Sequence, residues 1–313
     1  MLTKRRVLAA KIESAEGQGQ TLAAADGGIL VFDPKIDIDI KKFERSAAKA
    51  SLSNLTPVFG TQAARLTFRA ELKGPGAAYS SSNLPAIAKY LRACGFAETI
   101  VTTPGSESAT YAPASTGIPT ITLGLYEDGV LKKIHGARGN VKIIGKVGEP
   151  LMADFEFMGL LDSVADGAMI TPTYEGTIPP VFLNSTFTIA SYAAVIAGIE
   201  LDMANALQMR EDVTKSSGFA SCAMTGRNPN GKFDPEMTPV ATHDWFGRWK
   251  AGTAGALTVG PVGATQYNKV AITAPKVVYT KVSDSSRNDM AVADTSFALA
   301  MNTGDDEVQI QFT

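Results

Sequence analysis

The stretch "DPKIDIDI", Asp33 to Ile40, sets Ile36, Ile38 and Ile40 alternately with Asp37 and Asp39. A two-residue period is that of a strand with one apolar and one polar face. "GIELDM", Gly198 to Met203, repeats the pattern, with Ile199, Leu201 and Met203 on one side and Glu200 and Asp202 on the other. One kind of acidic strand is therefore used twice, and the order of elements around each use becomes informative.

In the first half, a strand from Ile36 to Arg45 precedes "AARLTFRAEL", Ala63 to Leu72. A helix over "NLPAIAKYLRACG" follows, with Asn83 to cap it, Leu84, Ile87, Leu91 and Cys94 on one face, and Gly95 to close it. The strands "TITLGLYEDGVLKKIHG", "NVKIIGKVGE" and "LMADFEFMGL" come next. The second half runs from Ile199 to Val213, then "GFASCAMTG", then a helix over "THDWFGRWKAG" in which Thr242 or Asp244 can cap and Trp245 and Trp249 lie one turn apart. It ends with "NKVAITAPKVVYTKV", "DMAVADTSFALAM" and "EVQIQF". Ala153, Phe155 and Phe157 alternate with Asp154 and Glu156 as Val308, Ile310 and Phe312 do with Gln309 and Gln311. The reading is a mainly β chain in two copies, each with one flanking helix: residues 1–164, a Pro/Gly/Thr-rich linker 165–186, and residues 187–313.

Lysine plus arginine number 29 against 31 aspartate plus glutamate, for a formal charge of -2, which lacks the basic footprint of a nucleic-acid binder. Two cysteines, Cys94 and Cys222, rule out a disulfide framework or cysteine-rich metal site and fit a reduced history. The apolar run Val7 to Ala10 is too short for a signal-peptide core, and no window has the length of a membrane span.

No constellation for catalysis assembles, so an enzyme is not expected. His135 reads as a strand-end residue, His243 as a helix-start residue, and both thiols as small buried hydrophobes. "GRNPNGKF", Gly226 to Phe233, has the spacing of a phosphate loop, but Phe233 stands where a magnesium-binding hydroxyl is needed, so a long hairpin turn is expected. "NLT" at Asn54 and "NST" at Asn184 matter only in a secreted protein. Neither a cofactor nor a metal is expected.

A wider set of matches runs through "TKRRVLAAKIESAEGQGQTLAAADGGILVFDPKI", "FER", "LPAIAKYLRACGF", "YEDGVLKKIHGARGNVKIIGKVGEPLMADFEF" and "GIELDMAN". Together these resemble the major tail tube proteins of long-tailed (siphovirus-type) bacteriophages, in the form that carries the fold twice. The resemblance implies tail-tube-type β-sandwich or barrel domains and rings stacked into a hollow tube through which the genome passes. It implies trimeric rings of pseudo-hexameric symmetry, with six-chain rings as the single-copy alternative. It also implies a virion protein assembled in the host bacterial cytoplasm, with the tape measure protein, tail terminator and distal tail protein as partners, no membrane, and transient rather than specific contact with double-stranded DNA. Asp37, Asp39, Asp154, Glu156, Glu200 and Asp202 are then the candidates to line the lumen, where carboxylates repel phosphates; strands facing the outer solvent would carry the same alternation. The long segment Ser46 to Gln62 resembles the loop that contacts neighbours, through Ser46, Lys49, Ser51, Asn54, Pro57 and Phe59, whereas the second half has only "TKSSG", Thr214 to Gly218. The basic end Lys4 to Arg6 is either a frayed terminus or a partner for an acidic neighbour. The competing readings are another tail ring (terminator or baseplate hub) and a β-rich binding or adhesin module, which would need exposed aromatics rather than packed ones.

Overall fold

The computed structural model describes Leu2 and residues 4–313, so Met1 and Thr3 lie outside the described residues. In chain order the first half forms β1 (Arg6–Ile12), β2 (Val31–Phe43), β3 (Val58–Glu71), α1 (Ala88–Ala93), β4 (Phe96–Val101), β5 (Ser108–Pro113), β6 (Ile121–Glu127), β7 (Val130–Lys146) and β8 (Met152–Asp166). After the extended segment 167–186 come β9 (Phe187–Ile189), β10 (Gly198–Asp202), β11 (Asn205–Glu211), β12 (Phe219–Arg227), β13 (Asn230–Phe233), α2 (Trp245–Ala251), β14 (Gly255–Val262), β15 (Val270–Arg287), β16 (Met290–Leu299) and β17 (Gln309–Phe312). The fold is mainly β. Fifteen strands join one antiparallel sheet, and β11 and β12 form a small ladder of their own.

Hydrogen-bonded neighbours run β1-β6-β7-β8-β3-β2 in the first half and β9-β14-β15-β16-β13-β10 in the second. Each six-strand set has one helix after its hairpin strand, α1 after β3 and α2 after β13. The sets are joined edge to edge where β10 pairs with β7, Leu201 opposite Ile143. A second tie crosses between the halves, because β17 pairs with both β15 and β5. The halves thus share one sheet and one continuous core.

Alternation sends Leu66, Phe68, Val141, Ile143, Phe155, Phe157, Ile199, Leu201, Phe233 and Phe297 to the core side. There Phe68 meets Tyr90 of α1 at 5.2 Å between ring centroids, and Phe233 meets Trp245 of α2 at 6.0 Å. Such edge-on aromatic contacts add to the area buried.

Several sequence expectations change. The first helix spans only Ala88–Ala93 and Asn83 does not cap it; its side chain donates to Ala78 O within a turn ahead of Pro85. Asp244, not Thr242, caps α2 by accepting from Gly247 N at 2.7 Å. A Cβ at Gly247 would lie 1.9 Å from Asp244 Oδ2, so a larger residue there would displace the capping side chain. The two tryptophans part company: Trp245 is buried, while Trp249 is 39% exposed and donates from Nε1 to Thr280 O. "KKIHG" and "NVKIIGK" form one strand, β7, with an irregularity between His135 and Arg138, so His135 is not a strand end. The strand matching β8 in position is β16, not "EVQIQF", whose β17 lies between β15 and β5. "GRNPNGKF" is no hairpin turn, but the kink at which the chain passes from β12 into β13.

Candidate functional site

Opposite the core, the sheet carries a polar face assembled from both halves. Asp37 and Asp39 come from β2, Arg65 and Arg69 from β3, Asp154 and Glu156 from β8, Asn140 and Lys142 from β7, Glu200 and Asp202 from β10, and Lys232 from β13. The six acidic candidates therefore share one face, although they lie far apart in sequence.

That face is not the bare row of carboxylates that the strand pattern suggests. Arg69 meets Asp154 through two hydrogen bonds of 2.5 and 2.9 Å, and Arg65 pairs with Glu156 at 2.7 Å. Glu200 bridges Lys142 at 2.5 Å and Lys232 at 3.2 Å, and Lys35 pairs with Asp37 at 2.8 Å. Partial burial raises the Glu200 carboxyl, but the hydrogen bonds from Lys142 and Lys232 outweigh it and hold the pKa below its ordinary value. Asp202 instead accepts from Asn140 Nδ2 and Ala204 N, both at 2.8 Å. The six acids thus stand beside the five cations Lys35, Arg65, Arg69, Lys142 and Lys232, every one of them ion-paired. Asp39 makes no ion pair among the described residues, and neither does Lys281, which lies opposite Ser296 on β15. Apart from Lys35 and Asp37, which share β2, these pairs cross between neighbouring strands, where residues opposite or diagonal to each other lie within reach of long side chains. Single-strand alternation reveals which residues are polar, but not which lie opposite.

Among the strand edges left unpaired, two hold corresponding places in the two sets. β2 pairs with β3 alone, and residues 281–287 of β15 pair with β16 alone. The isoleucines of β2 are not a buried face either: Ile36 is half-buried, while Ile38 is 39% and Ile40 41% exposed. Phe43, Val58 and Phe59 are also exposed, so the distal β2–β3 hairpin presents apolar side chains to solvent. Residues 44–57 at its tip hold no regular structure; Ser46, Lys49, Ser51 and Asn54 are exposed and Pro57 is half-buried. Phe59 belongs to β3 rather than to the loop.

The second half handles its hairpin differently. Ala204, in a left-handed conformation, breaks the strand between β10 and β11. The β11–β12 ladder then folds across β7 and β8 of the first half. Its tip reaches β3, where Gln62 N donates to Ser217 O at 2.9 Å. Arg138 Nη1 holds the ladder from beneath by donating to Cys222 O at 2.6 Å. One hairpin is packed on its own molecule, and the other is free.

The remaining sequence candidates sit elsewhere. His135 lies 3.4 Å from Asp162, and His243 is buried against Tyr192 and Trp245, where loss of water lowers its pKa. Burial pushes the Cys94 thiol well above its ordinary value and Cys222 to about 11. Arg5 and Arg6 pair within the chain, with Asp128 and Glu127. Among the described residues no group of three or more His, Cys, Asp or Glu gathers as metal ligands, and no helix is long and apolar enough to cross a membrane. No protein-family model matches the chain, and no curated protein matches it.

Proposed function

We propose that this chain is a non-enzymatic structural subunit of a bacteriophage tail tube, built from two copies of one β unit that close into rings with the like units of other chains. The observation that carries this reading is the joint inside the molecule. Two six-strand sets of the same order meet head to tail, β10 on β7, and leave one matching edge bare at each end. A head-to-tail contact between unlike surfaces repeats until it closes into a ring or continues as a filament. Bare edges are normally blunted in a soluble monomer, and here one of them carries exposed Ile38 and Ile40.

The polar face suits a channel wall. Five of its cations, Lys35, Arg65, Arg69, Lys142 and Lys232, are paired with carboxylates, so passing phosphates meet no unpaired positive charge among those five side chains. In this reading Asp37, Asp39, Asp154, Glu156, Glu200 and Asp202 line the lumen, and the 44–57 tip contacts neighbouring subunits or rings. The protein resides in the virion tail beside terminator, tape measure and distal tail proteins.

Negative-stain electron microscopy of the concentrated protein tests the proposal. Stacked hollow rings with three-fold averages are expected. Particles that stay monomeric even with tail-initiation components would overturn it.

A further inference from the structure

From the joint inside the chain we infer the joint between chains: residues 282–286 of β15 receive β2 of a second copy as an antiparallel strand, with Ile38 opposite Val282 and Asp39 opposite Lys281. This rests on the ring reading and adds its partner strand, face and register.

The register follows from counterparts in the two sets. Phe68 and Phe233 both precede a helix and touch its aromatic side chain. Two residues before each, Leu66 lies opposite Phe157 and Gly231 opposite Phe297, which matches Phe157 with Phe297. The next ladders set Val141 opposite Phe155 and Val282 opposite Thr295, which matches Val141 with Val282; both valines are buried. On the other side, Ile36 faces Leu66 as Leu201 faces Gly231, so β2 matches β10 with Ile36 in the place of Leu201. In the internal joint Leu201 faces Ile143, and Met203 N donates to Val141 O at 3.1 Å. Carried across, Ile36 meets Asp284, Asp37 meets Ser283, Ile38 meets Val282 and Asp39 meets Lys281.

Both edges are prepared for this. The β15–β16 hairpin closes at Arg287 and Met290 around Asn288 and Asp289, both with positive φ. The residues closing a two-residue turn bond to each other, so by alternation the backbone groups of Val282, Asp284 and Ser286 point outward. On β2 the parity that faces outward begins at Pro34, which has no N–H to leave unpaired, and its carbonyl accepts from Arg6. The ladder therefore starts at Ile36. The register also brings together Asp39 and Lys281, two oppositely charged side chains of this face that make no ion pair among the described residues. Beyond the ladder, the apolar β2–β3 tip lies over the neighbour's β15 and β16, where β11–β12 lies over β7 and β8 in this molecule.

Asp37 and Ser283 would form a non-hydrogen-bonded pair, with Cα atoms about 4.5 Å apart, within reach of a disulfide. The experiment is oxidation of the double variant Asp37→Cys/Ser283→Cys under assembly conditions, with the buried native thiols alkylated on denaturation and the products run on non-reducing gels. Covalent multimers as the major product, absent from either single variant, are expected. Rings without cross-links would overturn the strand joint and leave the ring reading standing; wild-type protein that forms no rings would overturn both. If the double variant fails to assemble, the charges decide. Asp39→Lys and Lys281→Asp should each raise the concentration for half-assembly roughly two- to five-fold, and together return it to within about two-fold of wild type. Failure of the exchange to restore assembly would overturn the register.

Discussion

Replacing Ile38 and Ile40 together by serine should leave the monomer folded and weaken its association. The two side chains remain 39% and 41% exposed in the single chain, so much of their apolar surface has yet to be buried. Complete burial of an isoleucine contributes about 1.5–3 kcal/mol, so the remaining fraction is worth roughly 0.6–1.2 kcal/mol each. Losing both costs roughly 1.2–2.4 kcal/mol at each contact between chains, or about 8- to 60-fold in its association constant. The monomer loses only strand preference on a half-solvated edge, about 1 kcal/mol or less. Sedimentation velocity over a dilution series gives the assembly midpoint, and thermal melting of dilute protein reports the fold. An unchanged midpoint with an unchanged melt would refute the assignment of these isoleucines to an interface. A collapsed melt would refute the view that the hairpin is dispensable to the monomer.

Other perturbations address the remaining parts. Glu13 is buried and accepts from the Thr120 and Thr122 hydroxyls and from the Gly17 and Gly136 amides, so Glu13→Ala removes four hydrogen bonds, with only the Gly17 amide keeping a second, 3.4 Å acceptor in Thr120 Oγ1. The expected loss is about 3 kcal/mol, seen as a fall in Tm of roughly 5–10 °C. Asp244→Ala removes the cap of α2 and should cost about 1 kcal/mol in a denaturant titration. Burial raises the Glu175 carboxyl to about 7 against the lowering influence of Lys73. A raised folded-state pKa means that its contribution is fully present below 4.5 and is lost as pH rises through about 7. The Tm difference between wild type and Glu175→Gln should therefore change sign or size between pH 4.5 and 8, whereas identical pH profiles would contradict the shift. Glu156→Gln deprives Arg65 of its carboxylate; if this face lines a tail tube as proposed, DNA ejection from phage carrying the variant should slow at low salt and recover as salt rises.

The sequence carried the strand content because a two-residue period survives whatever a strand packs against. It carried the position of α2 because Asp244 and Gly252 mark its ends locally. The length of α1 was not readable, since Asn83 and Pro85 look like a helix start while the chain there closes a turn at Ser80. The acidic faces of β2, β8 and β10 could be read strand by strand, but their neutralisation could not. Arg69 lies 85 residues from Asp154, and only the β3–β8 register sets them opposite each other. The exposure of Ile38 was equally hidden. Alternation names an apolar side without saying what covers it, and β2 extends past the strands that would do so.

The left-handed residue Ala204 has a kinetic consequence. In the proposed ring, bending one hairpin back onto its own chain would make the contacts between the two units of a chain part of folding rather than of assembly. Those contacts form at the high effective concentration of a tether and do not depend on how much protein the cell has made. If rings hold six units, only every second seam then requires a collision between separate molecules, so partial rings have fewer open ends to lose. In such a tube the nucleation threshold would fall, and the supply of chains would control growth of the stack more than the survival of its first ring.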